Sequence, residues 1–213
     1  GDVYKRQGSK TSVHRFAYHS YARQGGKLER LCCRRHYYVG DAQLNKNTPY
    51  WVWLQSALGA GARIKEIIEY FGGAKAVYDA GETEWKMSPV FVPRQVEHLK
   101  NTPLDVAEDI LTVCRLNSWQ ILTPEDAAYP RRVYEIENPP AALYVSGTLP
   151  DIDSSVVIGI VGTRKASDYA VKAADVMSRG ISRLGAVVVS GGALGVDTAA
   201  HNAALLSGGK TVA

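Results

Sequence analysis

Val156-Val157-Ile158-Gly159-Ile160-Val161-Gly162-Thr163-Arg164 is the stretch that decides the fold of this chain. Its first six residues form a continuous, largely β-branched apolar run. A strand covered on one face alternates apolar with polar, whereas an unbroken run fits a strand buried on both faces of a parallel sheet. The run stops in a Gly-Thr-Arg turn. Beyond it, Tyr169, Ala173, Val176, Met177, Ile181 and Leu184 fall on one face of a helix that opens at Ser167 or Asp168 and is closed by Gly185. Val187-Val188-Val189 reads as the next strand and ends in Ser190-Gly191-Gly192-Ala193-Leu194-Gly195. A second helix is expected from near Asp197 to about Ser207, and Thr211 begins a third strand. The order β-α-β-α-β implies a parallel sheet with right-handed crossovers, so the expected class is α/β.

Upstream of this block, Trp119–Leu122 and Ala142–Val145 are short apolar runs that read as strands. Pro130 and Pro139-Pro140 exclude a helix across their connection. Earlier still the period becomes helical: Trp51, Leu54 and Leu58, then Ile64, Ile67, Ile68 and Phe71. Breaks are expected at Leu58-Gly59-Ala60-Gly61 and at Gly72-Gly73, before a helix over Ala74–Ala80. Further helices are expected over Pro93–Lys100 and Leu104–Leu116. The expected organisation is a tail over 1–48, a small helical domain over 49–117 and an α/β domain over 118–213. A helix, a Gly-x-Gly turn and a second helix can hold a nucleic-acid backbone, but such turns equally serve packing.

The net charge is +4, from 25 Lys+Arg and 21 Asp+Glu. Residues 1–48 hold ten of those bases and three of the acids, a balance of +7, so the rest is −3. These 48 residues show no sustained periodicity. We expect a disordered or non-native tail, the alternative being a basic nucleic-acid arm. Cys32, Cys33 and His36 lack the spacing of a zinc site, and no metal is expected. Cys114, isolated in a helical stretch, reads as a small core residue. Three cysteines without a framework suit a reducing, cytoplasmic compartment. No apolar run reaches the roughly 18–20 residues of a membrane span. Position 1 is not Met and the last strand stops after about three residues, which reads as a fragment at both ends.

Both glycine-bearing loops leave the carboxyl ends of neighbouring strands and feed helix N-termini. Open α/β sheets place ligands there, and free amides make such points anion sites. The two loops together therefore predict a site for a phosphorylated ligand. Neither is a P-loop, and the first is not Gly-x-Gly-x-x-Gly, which disfavours ordinary NAD binding. Ser190 lacks the flanking residues of a nucleophile elbow.

The ordered motifs resemble the DNA-processing protein A (DprA/Smf) family. They are Asp126-Ala127-Ala128-Tyr129-Pro130, Asn138-Pro139-Pro140 with Leu143-Tyr144 and Gly147, Val161-Gly162-Thr163-Arg164 with Tyr169, Ser190–His201, and Gly208-Gly209-Lys210-Thr211. The resemblance covers about residues 119–213. It extends weakly over the helical segment, as the family's sterile-alpha-motif-like domain. It implies a Rossmann-like domain, incomplete here, that binds single-stranded DNA, protects incoming strands in natural transformation and helps load the RecA recombinase. It also implies a homodimer in the full-length family and no enzymatic activity or cofactor. Ala170 departs from the Gly that commonly follows the Tyr.

By motif, Gly162, Thr163, Arg164 and the Ser190–Gly195 loop would form the phosphate pocket. Arg164 offers a bidentate, permanently charged fork, and Lys165 a second cation. Gly191, Gly192, Ala193 and Gly195 would lend amides and close approach, and Ser190 a hydroxyl. Asp197 is expected to cap its helix or hold the loop, His201 to be structural, and Tyr169 to support the loop. Tyr169 and Tyr129 are the aromatics nearest the pocket. Arg131 and Arg132 read as a solvated pair that could flank the DNA path. The competing function is a nucleotide phosphoribohydrolase-like enzyme of the same broad fold, whose loop carries a catalytic Glu. No Glu stands at that place here, where Val196-Asp197 follows Gly195. A pure interaction scaffold is the third reading.

Overall fold

The computed structural model describes residues 45–213, together with the backbone of two short strands before them, β1 (Ala22–Gln24) and β2 (Lys27–Glu29). These two pair antiparallel, with Arg23 opposite Leu28. What was expected of residues 1–44 otherwise lies outside the described residues.

Five helices come first: α1 (Thr48–Leu58), α2 (Ile64–Phe71), α3 (Ala74–Met87), α4 (Pro93–Asn101) and α5 (Asp105–Leu116). Pro49 sits in the first turn of α1, where its missing N–H costs nothing. α3 is longer than the sequence suggests but is broken at Gly81, whose φ of 73° and ψ of 178° are not helical. Trp51, Val52, Trp53 and Leu54 of α1 are buried together with Ile64, Ile67, Val77, Trp85, Leu99 and Leu111. Trp53 is edge-on to Tyr78 at 5.0 Å, and its indole N–H donates to Thr102 O at 2.7 Å. That contact lets a large apolar side chain carry its polar atom inside without leaving it unpaired. Cys114 is buried in the same core, which pushes its thiol pKa up.

β3 (Gln120–Leu122) and β4 (Leu143–Val145) pair antiparallel, with Ile121 opposite Tyr144. Ile121, Ala141 and Ala142 belong to the helical core, and Ala141 N–H donates to Gln55 Oε1 of α1 at 2.7 Å. The β3–β4 ladder, which the sequence places with the α/β block, thus shares its apolar residues with the helices. Between the two strands a single turn, α6 (Arg131–Tyr134), follows Pro130. Both Arg131 and Arg132 amides at its start donate to Asp153. Tyr129 anchors the connection by donating its hydroxyl to Pro140 O at 2.7 Å; burial pushes its pKa to about 12.

The last block is the expected parallel sheet: β5 (Val157–Gly159), β6 (Val187–Val189) and β7 (Lys210–Val212), side by side in that order, but β5 is not buried on both faces as expected: it is the outer strand of the three, and Val156 and Ile158 are exposed. Val157, Val187 and Lys210 stand in one row. The connecting helices α7 (Asp168–Arg183) and α8 (Val196–Leu206) pack against each other. The sheet is an incomplete Rossmann-like one, preceded by helices.

Of the large apolar residues expected on the inward face of α7, Ile181 packs against the core, but the buried positions are small. Ala174, Ser178 and Ser182 are buried, whereas Val176, Met177 and Leu184 are exposed. Ala200, Ala203 and Ala204 are the buried counterparts on α8. Small side chains on both helices permit close approach, and contact of backbone with backbone replaces interlocking of large residues. Among the described residues, no helix is long and apolar enough to cross a membrane.

Candidate functional site

The two glycine loops meet at the carboxyl edge of the parallel sheet. Val196 N–H, at the head of α8, donates to Thr163 O at 3.3 Å. A Cβ on Gly195 would stand 2.3 Å from Thr163 O and 2.7 Å from Arg164 O, and a Cβ on Gly162 would stand 2.6 Å from the Val196 side chain. Each loop therefore requires a glycine where the other crosses it. Lys165 N–H donates to Thr163 Oγ1 at 3.2 Å, which folds the first loop back on itself.

This crossing leaves the Arg164 and Lys165 side chains exposed. Among the described residues, no carboxylate lies within ion-pair distance of either. The cations of the helical region differ. Lys86 and Lys100, which line a cleft between α3 and α4, both reach Glu82, at 2.6 and 3.0 Å.

The second loop departs from expectation at several positions. Ser190 is buried, and its hydroxyl donates to Ile160 O at 2.6 Å. Its one proton is spent tying β6 to the end of the first strand, so it is not a phosphate donor. The Ala193 amide is turned inward, donating to Asp197 Oδ2 at 3.4 Å. Asp197 is itself buried, under Gly191, where a Cβ would stand 2.9 Å from Oδ2. Thr198 Oγ1 donates to Ala193 O at 2.7 Å and closes the loop from below. Gly191 and Gly192 keep amides with no acceptor among the described residues. The groups of the two loops left without a partner among the described residues are therefore the Arg164 and Lys165 side chains and those two amides. The head of α8 contributes less than its dipole suggests, because Thr163 O and Asp197 already occupy it.

His201 sits one turn further along α8 and faces the sheet. Its Nδ1 lies 2.6 Å from Thr211 Oγ1, and that hydroxyl gives its own proton to Val188 O at 2.8 Å. Nδ1 must then be the donor, so Nε2 is the unprotonated nitrogen; it is buried without a partner among the described residues. Burial lowers the His201 pKa from its ordinary 6.5, and the Asp197 charge opposes this in part. The histidine holds α8 to β7 and does not open onto the loops.

Tyr169, expected to support the first loop, does not. It is 83% exposed on the first turn of α7, while Ser167 Oγ accepts the Ala170 amide at 3.3 Å behind it. Tyr129 is buried and cannot present a face to a ligand. Among the described residues, no group of three or more His, Cys, Asp or Glu is placed to hold a metal ion.

Fold and site together define a parallel α/β domain with an exposed arginine on a loop locked across a helix head. The model of the family "DNA recombination-mediator protein A" matches residues 120–213. Over that part of its length the chain is similar to the DprA/Smf family. Protein Smf of Synechocystis is 29% identical over 181 residues, 79% of this chain and 44% of that protein. DNA processing protein DprA of Streptococcus pneumoniae is 40% identical over 88 residues, 41% of this chain and 30% of that protein. The crystal structure of the pneumococcal protein superposes with a TM-score of 0.58 at 26% identity. That match covers 78% of this chain and 56% of that one. The chain thus spans less than half the length of these curated relatives.

Proposed function

We propose that the two-loop face binds single-stranded DNA, with Arg164 on a phosphate, Lys165 beside it and the Gly191 and Gly192 amides as neutral donors. In this reading the protein protects incoming strands, assists loading of the RecA recombinase during natural transformation, and acts in the cytoplasm without catalysing a reaction. The whole protein would work as a homodimer. The observation that carries the reading is Arg164. The main chain around it is fixed by the Gly195 crossing, while its guanidinium stands in solvent with no acid beside it among the described residues. A guanidinium so placed keeps its charge and presents two parallel donors to phosphate oxygens.

Fluorescence anisotropy with a labelled single-stranded oligonucleotide tests this. Arg164→Ala should weaken binding by about 1–3 kcal/mol and lower the slope of log affinity against log salt by about one. Deleting residues 1–48 should change affinity little. Unchanged affinity in Arg164→Ala would remove the assigned contact. A large loss on deleting the tail would move the site to the basic segment.

A further inference from the structure

Three large apolar side chains surround the two loops with most of their surface in solvent: Val161 at 80%, Tyr169 at 83% and Leu194 at 77%. Scattered exposed apolar residues are ordinary and call for no explanation. These three differ in position. Val161 directly precedes the Gly162 turn, Leu194 lies between Ala193 and Gly195, and Tyr169 is on the first turn of the helix that Arg164 and Lys165 lead into.

Tyr169 is the one aromatic among them. Its ring has no aromatic neighbour and its hydroxyl no hydrogen-bond partner among the described residues. The ring is nevertheless mounted on a fixed element. Ser167 caps the helix behind it, and the flanking Ala166 and Ala170 pack on the core beneath. A flat apolar face on the first turn of the helix that follows Arg164 and Lys165, whose side chains have no acid partner among the described residues, matches a ligand that alternates anionic phosphate with flat apolar rings. Single-stranded nucleic acid has that chemistry.

We infer that Tyr169 is a stacking platform for a nucleobase of the strand whose phosphate Arg164 holds, with Leu194 and Val161 as apolar contacts beside it. The inference rests on the single-stranded DNA reading of the two loops. It replaces a structural role for Tyr169 with a binding one.

The test compares two labelled oligonucleotides of equal length, one with bases and one abasic, against the full chain. On the base-bearing strand, Tyr169→Ala should lose about tenfold in affinity, the order expected of one stacked base, while Tyr169→Phe keeps it. The salt slope should not change, because no phosphate contact is lost. On the abasic strand, wild type and Tyr169→Ala should bind alike. Equal affinity of Tyr169→Ala and wild type for the base-bearing strand would overturn the inference, as would an equal loss on both strands. If Arg164→Ala weakens binding and Tyr169→Ala does not, this inference falls and the site reading stands. If wild type binds neither strand, both fall. Tyr169 is exposed, so the melting temperature of both variants should match wild type and exclude misfolding as the cause.

Discussion

Gly195→Ala should separate the two loops and cost about 3–5 kcal/mol, well into the tail of single-substitution effects. Two causes add. Gly195 has a φ of +86° and a ψ of −125°, a backbone conformation that costs an L-residue about 1–3 kcal/mol. Its new methyl would also stand 2.3 Å from Thr163 O and 2.7 Å from Arg164 O. Both obstacles are main-chain atoms on the loop that positions Arg164, so they cannot swing aside as a side chain would. The Val196 N–H to Thr163 O bond breaks as the loops part, and Arg164 loses its fixed position. Gly59→Ala is the control. Its φ is +72° and its ψ −178°, but a Cβ there meets nothing within 4 Å, so it carries conformational strain alone, about 1–3 kcal/mol. Denaturant titration should rank wild type, Gly59→Ala and Gly195→Ala in that order. Only Gly195→Ala should also lose DNA affinity, by more than tenfold. Equal behaviour of the two variants would mean that the loops do not touch.

Trp53→Ala should be similarly severe, about 3–5 kcal/mol, but for a different reason. Trp53 is fully buried among Tyr78 and Trp85, and its removal leaves a cavity in the helical core. It also strands Thr102 O, which accepts the indole N–H. The loss should appear as a lower urea midpoint. Below that transition the variant should bind the oligonucleotide as wild type does, because none of the binding groups lies in this core. A parallel loss of affinity in the folded protein would show that the helical region takes part in binding. Together the two variants distinguish damage to the site from damage to the core.

The parallel block was legible because β5 and β6 are apolar runs that end in glycine loops and β7 follows the Gly208-Gly209 turn, and β5, β6, β7 and both helices stand within a residue or two of their expected limits. The inward side of α7 was not legible. Val176, Met177 and Leu184 recur at helical spacing, and period alone does not say which face is covered. The Ala174, Ser178 and Ser182 stripe is the buried one because α8 presents alanines to it, a pairwise fact invisible in either helix alone. The docking of β3–β4 on the helices was hidden for the same reason. It depends on Gln55 reaching Ala141 across 86 residues of sequence.

Within the site, the clustering of Gly162, Thr163, Arg164 and Gly195 follows from loops at adjacent strand ends. The inward turn of Ser190 and Ala193 does not. A serine beside glycines reads equally as a ligand donor or as a tie between strands. Only the Ile160 carbonyl at 2.6 Å decides for the tie. Of the two aromatics that the sequence places nearest the loops, Tyr129 is buried and Tyr169 is exposed, a difference that their motifs alone do not tell.

The most direct test of the account is the backbone amide spectrum of isotope-labelled protein titrated with a short single-stranded oligonucleotide. Resonances of residues 162–165, Gly191 and Gly192 should shift together and saturate at one concentration, while those of α1 to α5 stay in place. Shifts confined to the helical region or to residues 1–48, with residues 162–165 and the two glycines unmoved, would contradict it.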